Sequence, residues 1–223
     1  MLGMHRMRAQ LVKFRTMQVN QLRGLLYEFG VTFRAGREAG LSEMRARMGE
    51  LQEMLPGVLL EGLREQLKRI EAIEDDIGGL EKRIGAWQKQ EAACRAIAAI
   101  PGFGKLTATA FVATIGDACA FKSGRQCAAF VGLVPRQSGT GGKVRLGPIS
   151  KRGDPYLRTL LIHGARSVMT HAKAPSTWQQ ELRARRPANV TAVALANKMA
   201  RTAWAILAHG RAYQKDYVSV KPS

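Results

Sequence analysis

Acidic residues are scarce in this chain, and most of the few present lie in its first half. Of 223 residues, 17 are Asp or Glu against 35 Lys or Arg, a net charge of +18. Residues 1–100 hold 13 acidic and 16 basic groups, whereas residues 101–223 hold 4 acidic and 19 basic. A surplus confined to one half points to a polyanion-binding region more than to a uniformly solvated surface. Cysteine is nearly absent too. Cys94, Cys119 and Cys127 are odd in number and form no CxxC pair. That argues against a disulfide framework and a cysteine zinc site, and it fits a reducing, cytoplasmic setting. The histidines are scattered, and none stands at metal-ligand spacing from a cysteine or a carboxylate pair. No apolar run reaches the ~20 residues needed to span a bilayer. The opening MLGMHRMRAQLVKFR has no apolar segment of the signal-peptide kind. The expected polyanion is therefore nucleic acid, not a membrane surface.

What is present is helical periodicity. Met7, Leu11, Phe14, Leu22, Leu25 and Phe29 fall near one stripe and predict a helix over 4–29 with Gly30 as its stop. A second helix is expected over 41–54, ending near Pro56. Leu63, Ile70, Ile77 and Ile84 recur every seven residues, and Ile73, Leu80 and Trp87 repeat the spacing three residues behind. Only Gln66 is out of character in this a/d heptad, which predicts a long helix over 58–97 packed on another helix. The partner is either the first helix of the same chain or a second subunit. Gly78 and Gly79 weaken the helix by about 1 kcal/mol each. The run Glu74-Asp75-Asp76 on such a helix reads as a solvated face, not a metal site. Short helices follow from 98 onward, with Asp154 as N-cap and Pro155 at N1 of one of them. No strand run or repeat stands out. The expectation is an all-α chain with a helical, coiled-coil module over 1–97. A compact helical domain with a helix-hairpin-helix-like element follows over 98–223.

Two segments have chemistry in them. In IPGFGKLTATA, Gly102 and Gly104 permit a tight turn and a close backbone approach. Amides at the next helix's N-terminus, with Lys105 and Thr107 beside them, suit a phosphate. A plain helix-helix turn is the competing reading. The second segment, GLVPRQSGTGGKVRLGPISKRGDPYLR from Gly132 to Arg158, sets Arg136, Lys143, Arg145, Lys151, Arg152 and Arg158 among glycines. It suits a strip lying along a phosphate backbone. Its serines, Ser138 and Ser150, read on their own as ordinary loop residues.

The linked motifs IPGFG, FKSGRQCAA, GLVPRQSG and GPISKRGDPYLR, over about residues 95–170, closely resemble the C-terminal domain of insertion-sequence-110-type transposases. These are the Piv/MooV recombinases, some of them guided by a bridge RNA. Residues 4–30 resemble the helix after that family's nuclease-like domain, and the heptad helix resembles its coiled coil. The resemblance implies DNA transposition with DNA as partner, a possible guide RNA, and homo-oligomers formed through the coiled coil. It implies a serine that attacks a DNA phosphodiester, carried over to Ser138, with Ser150 as runner-up. Arg136, Lys143, Arg145, Lys151 and Arg158 would position phosphate. The family's Mg²⁺ is held by an N-terminal Asp-Glu-Asp-Asp domain that has no counterpart in these residues. This chain is therefore expected to hold no metal or other cofactor, and to be a truncated transposase not competent alone. Asp117, Asp154, Glu181 and Asp216 form no carboxylate cluster by spacing. A non-catalytic nucleic-acid-binding protein using the hairpin and coiled coil is the alternative. A remnant without function is a third reading.

Overall fold

The computed structural model describes residues 1–172 and 174–215. Among them are ten α-helices, one 3-10 turn and one two-stranded antiparallel sheet. They fall into two compact units: Gly3–Arg83, and Ile84 onward with Met1–Leu2.

The N-terminal unit contains α1 (Leu2–Glu28), α2 (Arg37–Ala46), α3 (Met48–Met54) and most of α4 (Gly57–Gln90). Gly30, at φ 74°, ends α1: the amides of Gly30 and Val31 turn back onto Tyr27 O and Leu26 O. Leu22 and Leu26 of α1 share one buried cluster with Met44 of α2, Leu51 of α3, and Leu63, Leu67 and Ile70 of α4. Farther along, Arg8 of α1 pairs with Glu81 of α4 at 2.7 Å, so the two helices run antiparallel. Arg37 and Arg45 of α2 pair with Glu74 and Glu71. The heptad positions Leu63, Ile70, Ile77, Leu80 and Ile84 are buried within the single chain. For Leu63 and Ile70 the partners are this chain's own helices.

Three details differ from the sequence expectation. The buried stripe of α1 is Val19, Leu22 and Leu26, while Met7, Phe14 and Phe29 are exposed. The expected 41–54 helix starts earlier and is broken at Arg47, whose guanidinium is held by Glu50 at 2.7 Å. The expected 58–97 helix is broken at Glu91, which is extended at φ −80° and ψ 116°. There Arg95 donates to the carbonyls of Lys89 and Gln90, capping the end of α4.

The C-terminal unit continues through α5 (Ala92–Ala98), α6 (Lys105–Ile115), α7 (Gly124–Phe130), β1 (Pro135–Thr140) and β2 (Lys143–Ile149). It then runs through α8 (Pro155–His171), α9 (Thr177–Arg185) and α10 (Ala188–His209). Its core is one cluster that includes Ile97, Phe103, Phe111, Leu133, Leu157, Leu161 and Met199. Along α10 the buried residues Ala192, Ala196, Ala200 and Ala203 form a small-residue face, and α8 and α7 pack on this helix. Asp154 caps α8 as expected: Oδ1 accepts from the amides of Tyr156 at 2.7 Å and Leu157 at 3.1 Å, with Pro155 at the start of the helix. In FKSGRQ, Ser123 Oγ accepts from Gln126 N, and Gln126 Oε1 accepts from Lys122 N. The motif is thus a reciprocal cap for α7.

The helical class holds, with one departure. Residues 135–149 form a β-hairpin where no strand was expected. Its two-residue loop, Gly141-Gly142, has positive φ at both positions (59° and 79°), the turn whose twist matches paired strands. β2 holds one more residue than β1 between the Pro135–Ile149 and Gln137–Leu146 pairs. That bulge includes Pro148, which has no amide to give to the ladder.

Candidate nucleic-acid interface and nucleophile

Strand alternation sorts the hairpin into two faces. Ser138 stands opposite Arg145, and Thr140 opposite Lys143. Arg136 shares their side of β1, so one face carries Arg136, Ser138, Thr140, Lys143 and Arg145. The other carries Gln137, Gly139, Val144 and Leu146, the last two each 66% exposed. Ser138 is exposed, and its hydroxyl makes no hydrogen bond among the described residues. It is thus a free hydroxyl on a cationic ribbon. Ser150 differs: it is half-buried, its amide donates to Val134 O at 2.8 Å, and its Oγ accepts from Arg152 N at 3.5 Å.

The base of the hairpin is clamped. A Cβ on Gly132 would lie 1.9 Å from Arg152 O, and one on Gly153 would lie 1.9 Å from Phe130 O. Both glycines have positive φ, so the two segments can touch only without side chains there. Lys151 also adopts a left-handed conformation, φ 54°, and its amide donates to Gly132 O. Arg158 reaches from α8 to donate to Val131 O at 3.1 Å and Arg152 O at 3.5 Å. Arg136 donates to Ser150 O. Arg158 therefore braces the hairpin, whereas Lys143, Arg145, Lys151 and Arg152 are exposed.

The IPGFG turn joins α5 to α6, which pack on each other. Gly102 uses its close approach inside the chain: a Cβ there would lie 2.8 Å from Gly164 O of α8, and one on Gly164 would lie 2.2 Å from Gly102 O. Thr107 is buried. Gly104 and Lys105 are exposed at the start of α6 and line an open groove with His163 and Ser167 of α8. Sequence reading missed these two residues. They recur four apart in LIHGARS, on one side of a helix, which is the signal that would have found them.

The charges divide in the same way as the fold. Several arginines of the N-terminal unit are engaged with acids, as in Arg8–Glu81, Arg37–Glu74, Arg45–Glu71 and Arg47–Glu50. Among the described residues, Arg136, Lys143, Arg145, Lys151 and Arg152 form no ion pair within the chain. The acids of this half serve elsewhere. Asp117 accepts from Cys119 N, Asp154 caps α8, Glu181 is exposed on α9, and Asp216 lies outside the described residues. Among the described residues no three His, Cys, Asp or Glu side chains converge on a point. The described residues therefore offer no converging set of oxygen donors of the kind Mg²⁺ takes. Among the described residues no helix is long and apolar enough to cross a membrane.

Residues 94–180 match the family model described as Transposase IS116/IS110/IS902 family. The chain is 48% identical over 217 residues to a Pseudomonas aeruginosa protein named "Probable family 20 transposase", covering 95% of this chain and 64% of that protein. It is 40% identical over 224 residues to the transposase for insertion sequence element IS1111A of Coxiella burnetii, covering 94% and 58%. It is 34% identical over 219 residues to the transposase for insertion sequence element IS1328 of Yersinia enterocolitica, covering 96% and 65%. The chain thus spans about three fifths of the length of these relatives. The motif-bearing segment thus lies inside a domain of the IS116/IS110/IS902 transposase family at residues 94–180, and likeness to insertion-sequence transposases runs along nearly all of the chain.

Proposed function

We propose that this chain is the DNA-binding and nucleophile-bearing portion of an insertion-sequence transposase. One observation carries the reading: an exposed serine on a hairpin face with three basic side chains and no acid. Duplex DNA lies against the exposed cations, Arg136, Lys143, Arg145, Lys151 and Arg152. Gly104 and Lys105 at the start of α6 add a contact that holds backbone and reads no bases. Ser138 Oγ attacks phosphorus, forming a phosphoserine ester. A DNA P–O bond breaks, and the strand leaves with its hydroxyl. The serine proton passes to solvent, the leaving oxygen takes one from solvent, and the guanidinium and ammonium groups offset the charge that develops on the phosphoryl oxygens. Mg²⁺, where the full reaction uses it, is held by residues other than those described here. A guide RNA would bind by the same backbone electrostatics. Self-association would use the exposed side of α1, Met7, Phe14 and Met17, because the heptad seam is occupied within the chain.

Binding of a labelled duplex titrated with KCl tests the first half of this reading. Affinity is expected to fall steeply, linearly in log–log form, and a salt-insensitive affinity sinks it. For the second half, a metal-binding acidic domain supplied in trans is expected to permit a covalent protein–DNA adduct. An adduct that persists in Ser138→Ala excludes Ser138. A second reading is a chain that binds DNA and cleaves nothing; among the described residues the exposed cations of the hairpin supply binding, and no three metal-ligating side chains converge beside them. A chain that binds but never forms the adduct, acidic domain supplied, supports it.

A further inference from the structure

A second cationic concavity lies away from the hairpin, where α8, α9 and the start of α10 meet. It is lined by Arg166, Met169, Thr170, Arg183, Ala188 and Asn189. The two arginines come from different helices, and Arg166 Nη2 donates to Asn189 Oδ1 at 3.2 Å, which holds that guanidinium over the first turn of α10. Pro187 caps α10 without a side-chain hydrogen bond. The amides of Val190 and Thr191 return to Pro187 O, so those of Ala188 and Asn189 precede the first helical bonds. No carboxylate lines the groove, and neither arginine forms an ion pair among the described residues. Two guanidinium groups drawn into one concavity beside the positive end of a 22-residue helix repel one another unless an anion joins them. Thr170 Oγ1 donates to Arg166 O, which leaves its lone pairs to accept and adds no negative charge.

We propose that this groove is a second phosphate-binding site that takes the DNA backbone independently of the hairpin face. Arg166 and Arg183 grip one phosphodiester, or two neighbouring ones, through their planar forks, and Met169 forms the apolar floor. The site rests on the DNA-binding reading above and extends it to a second point of contact. Two separated grips fix the direction in which the duplex crosses this unit, which one charged ribbon does not.

The test is binding of a labelled duplex by the full chain across a KCl series, with three double variants. Arg166→Ala/Arg183→Ala is expected to weaken binding at least about threefold at fixed salt and to lower the log–log slope by about 1–2, near 0.9 per phosphate contact. Arg185→Ala/Arg186→Ala removes as much charge outside the groove and is expected to lower the slope by clearly less. Arg166→Lys/Arg183→Lys keeps the charge and loses the forks; it is expected to keep the slope and bind more weakly. A wild-type slope in the groove alanine variant overturns the site, and so do equal losses in the two alanine pairs. Should the groove alanine variant fail to fold, the lysine variant decides: affinity equal to wild type overturns the site. A wild-type chain whose binding ignores salt instead overturns the DNA-binding reading itself.

Discussion

His5 sits buried in α1, and burial, followed by the nearby charge of Arg8, pushes its pKa down from 6.5 to about 4. The folded chain holds it neutral. Above pH 6.5 both folded and unfolded forms are neutral, and this residue adds no pH dependence. Between 6.5 and 4 the unfolded chain binds a proton that the folded chain refuses, so stability falls as pH falls through that window. The loss amounts to roughly 3 kcal/mol at most. Denaturation of wild type and His5→Gln across that range is expected to show a falling midpoint in wild type and a shallower fall in the variant. Parallel curves would refute the assignment. The same burial pushes the thiols of Cys94 and Cys127 up to about 12, which keeps them protonated, while Cys119 is exposed. At this scale the sequence was legible where the physics is local. Asp154-Pro155 announces a helix start because the cap needs only its own neighbours. The buried side of α1 was not legible. Exposed Met7 and Phe14 outvoted Val19 in the periodicity, and the helix buries polar atoms of Arg15 and Gln18 that no hydropathy pattern favours.

Among elements, α4 and the hairpin make opposite use of glycine. A Cβ on Gly78, within α4, meets nothing within 4 Å. Gly78→Ala is expected to stabilise the chain by about 0.5–1 kcal/mol, because alanine gives up less conformational freedom in a helix. Gly132→Ala drives a Cβ into Arg152 O at positive φ and is expected to cost about 2 kcal/mol or more. Urea midpoints of the two variants, moving in opposite directions, check both. The heptad of α4 was legible because seven-residue repeats are a strong signal. Its breaks were not, since the turn at Glu91 depends on Arg95 reaching back to two carbonyls. The hairpin was missed for a different reason. Both of its faces are exposed, so no apolar face marks it. Yet Lys143-Val144-Arg145-Leu146 alternates with period two after a Gly-Gly loop, and those two signals together specify a hairpin. Composition marked the basic residues of this segment, and the family resemblance alone singled out Ser138 among them. Only the register shows that they share one side, and only the fold turns Arg158 and Gly102 inward as braces.

Across the whole molecule, positive charge is compensated in one unit and left over in the other. Cations without internal partners repel one another in the folded state and attract any polyanion. Duplex DNA is therefore expected to raise the melting temperature of the C-terminal unit, by linkage to the folded form. The shift should shrink as KCl is raised, and a shift that survives at high salt would show that charge is not its source. Differential scanning calorimetry with and without duplex reads it directly. The hairpin adds a liability to the same balance. A sheet of two strands has two open edges, each a row of backbone groups ready to pair with another chain. Lys143, Arg145 and the Pro148 bulge guard the edge of β2, and the lysine and arginine do so by electrostatic repulsion alone. Salt near 1 M, which strips nucleic acid from a basic protein, also shortens the reach of that repulsion to about 3 Å. Under those conditions two copies are expected to meet ribbon to ribbon through their exposed Val144 and Leu146 side chains, and the cationic hairpin to become a seed for aggregation.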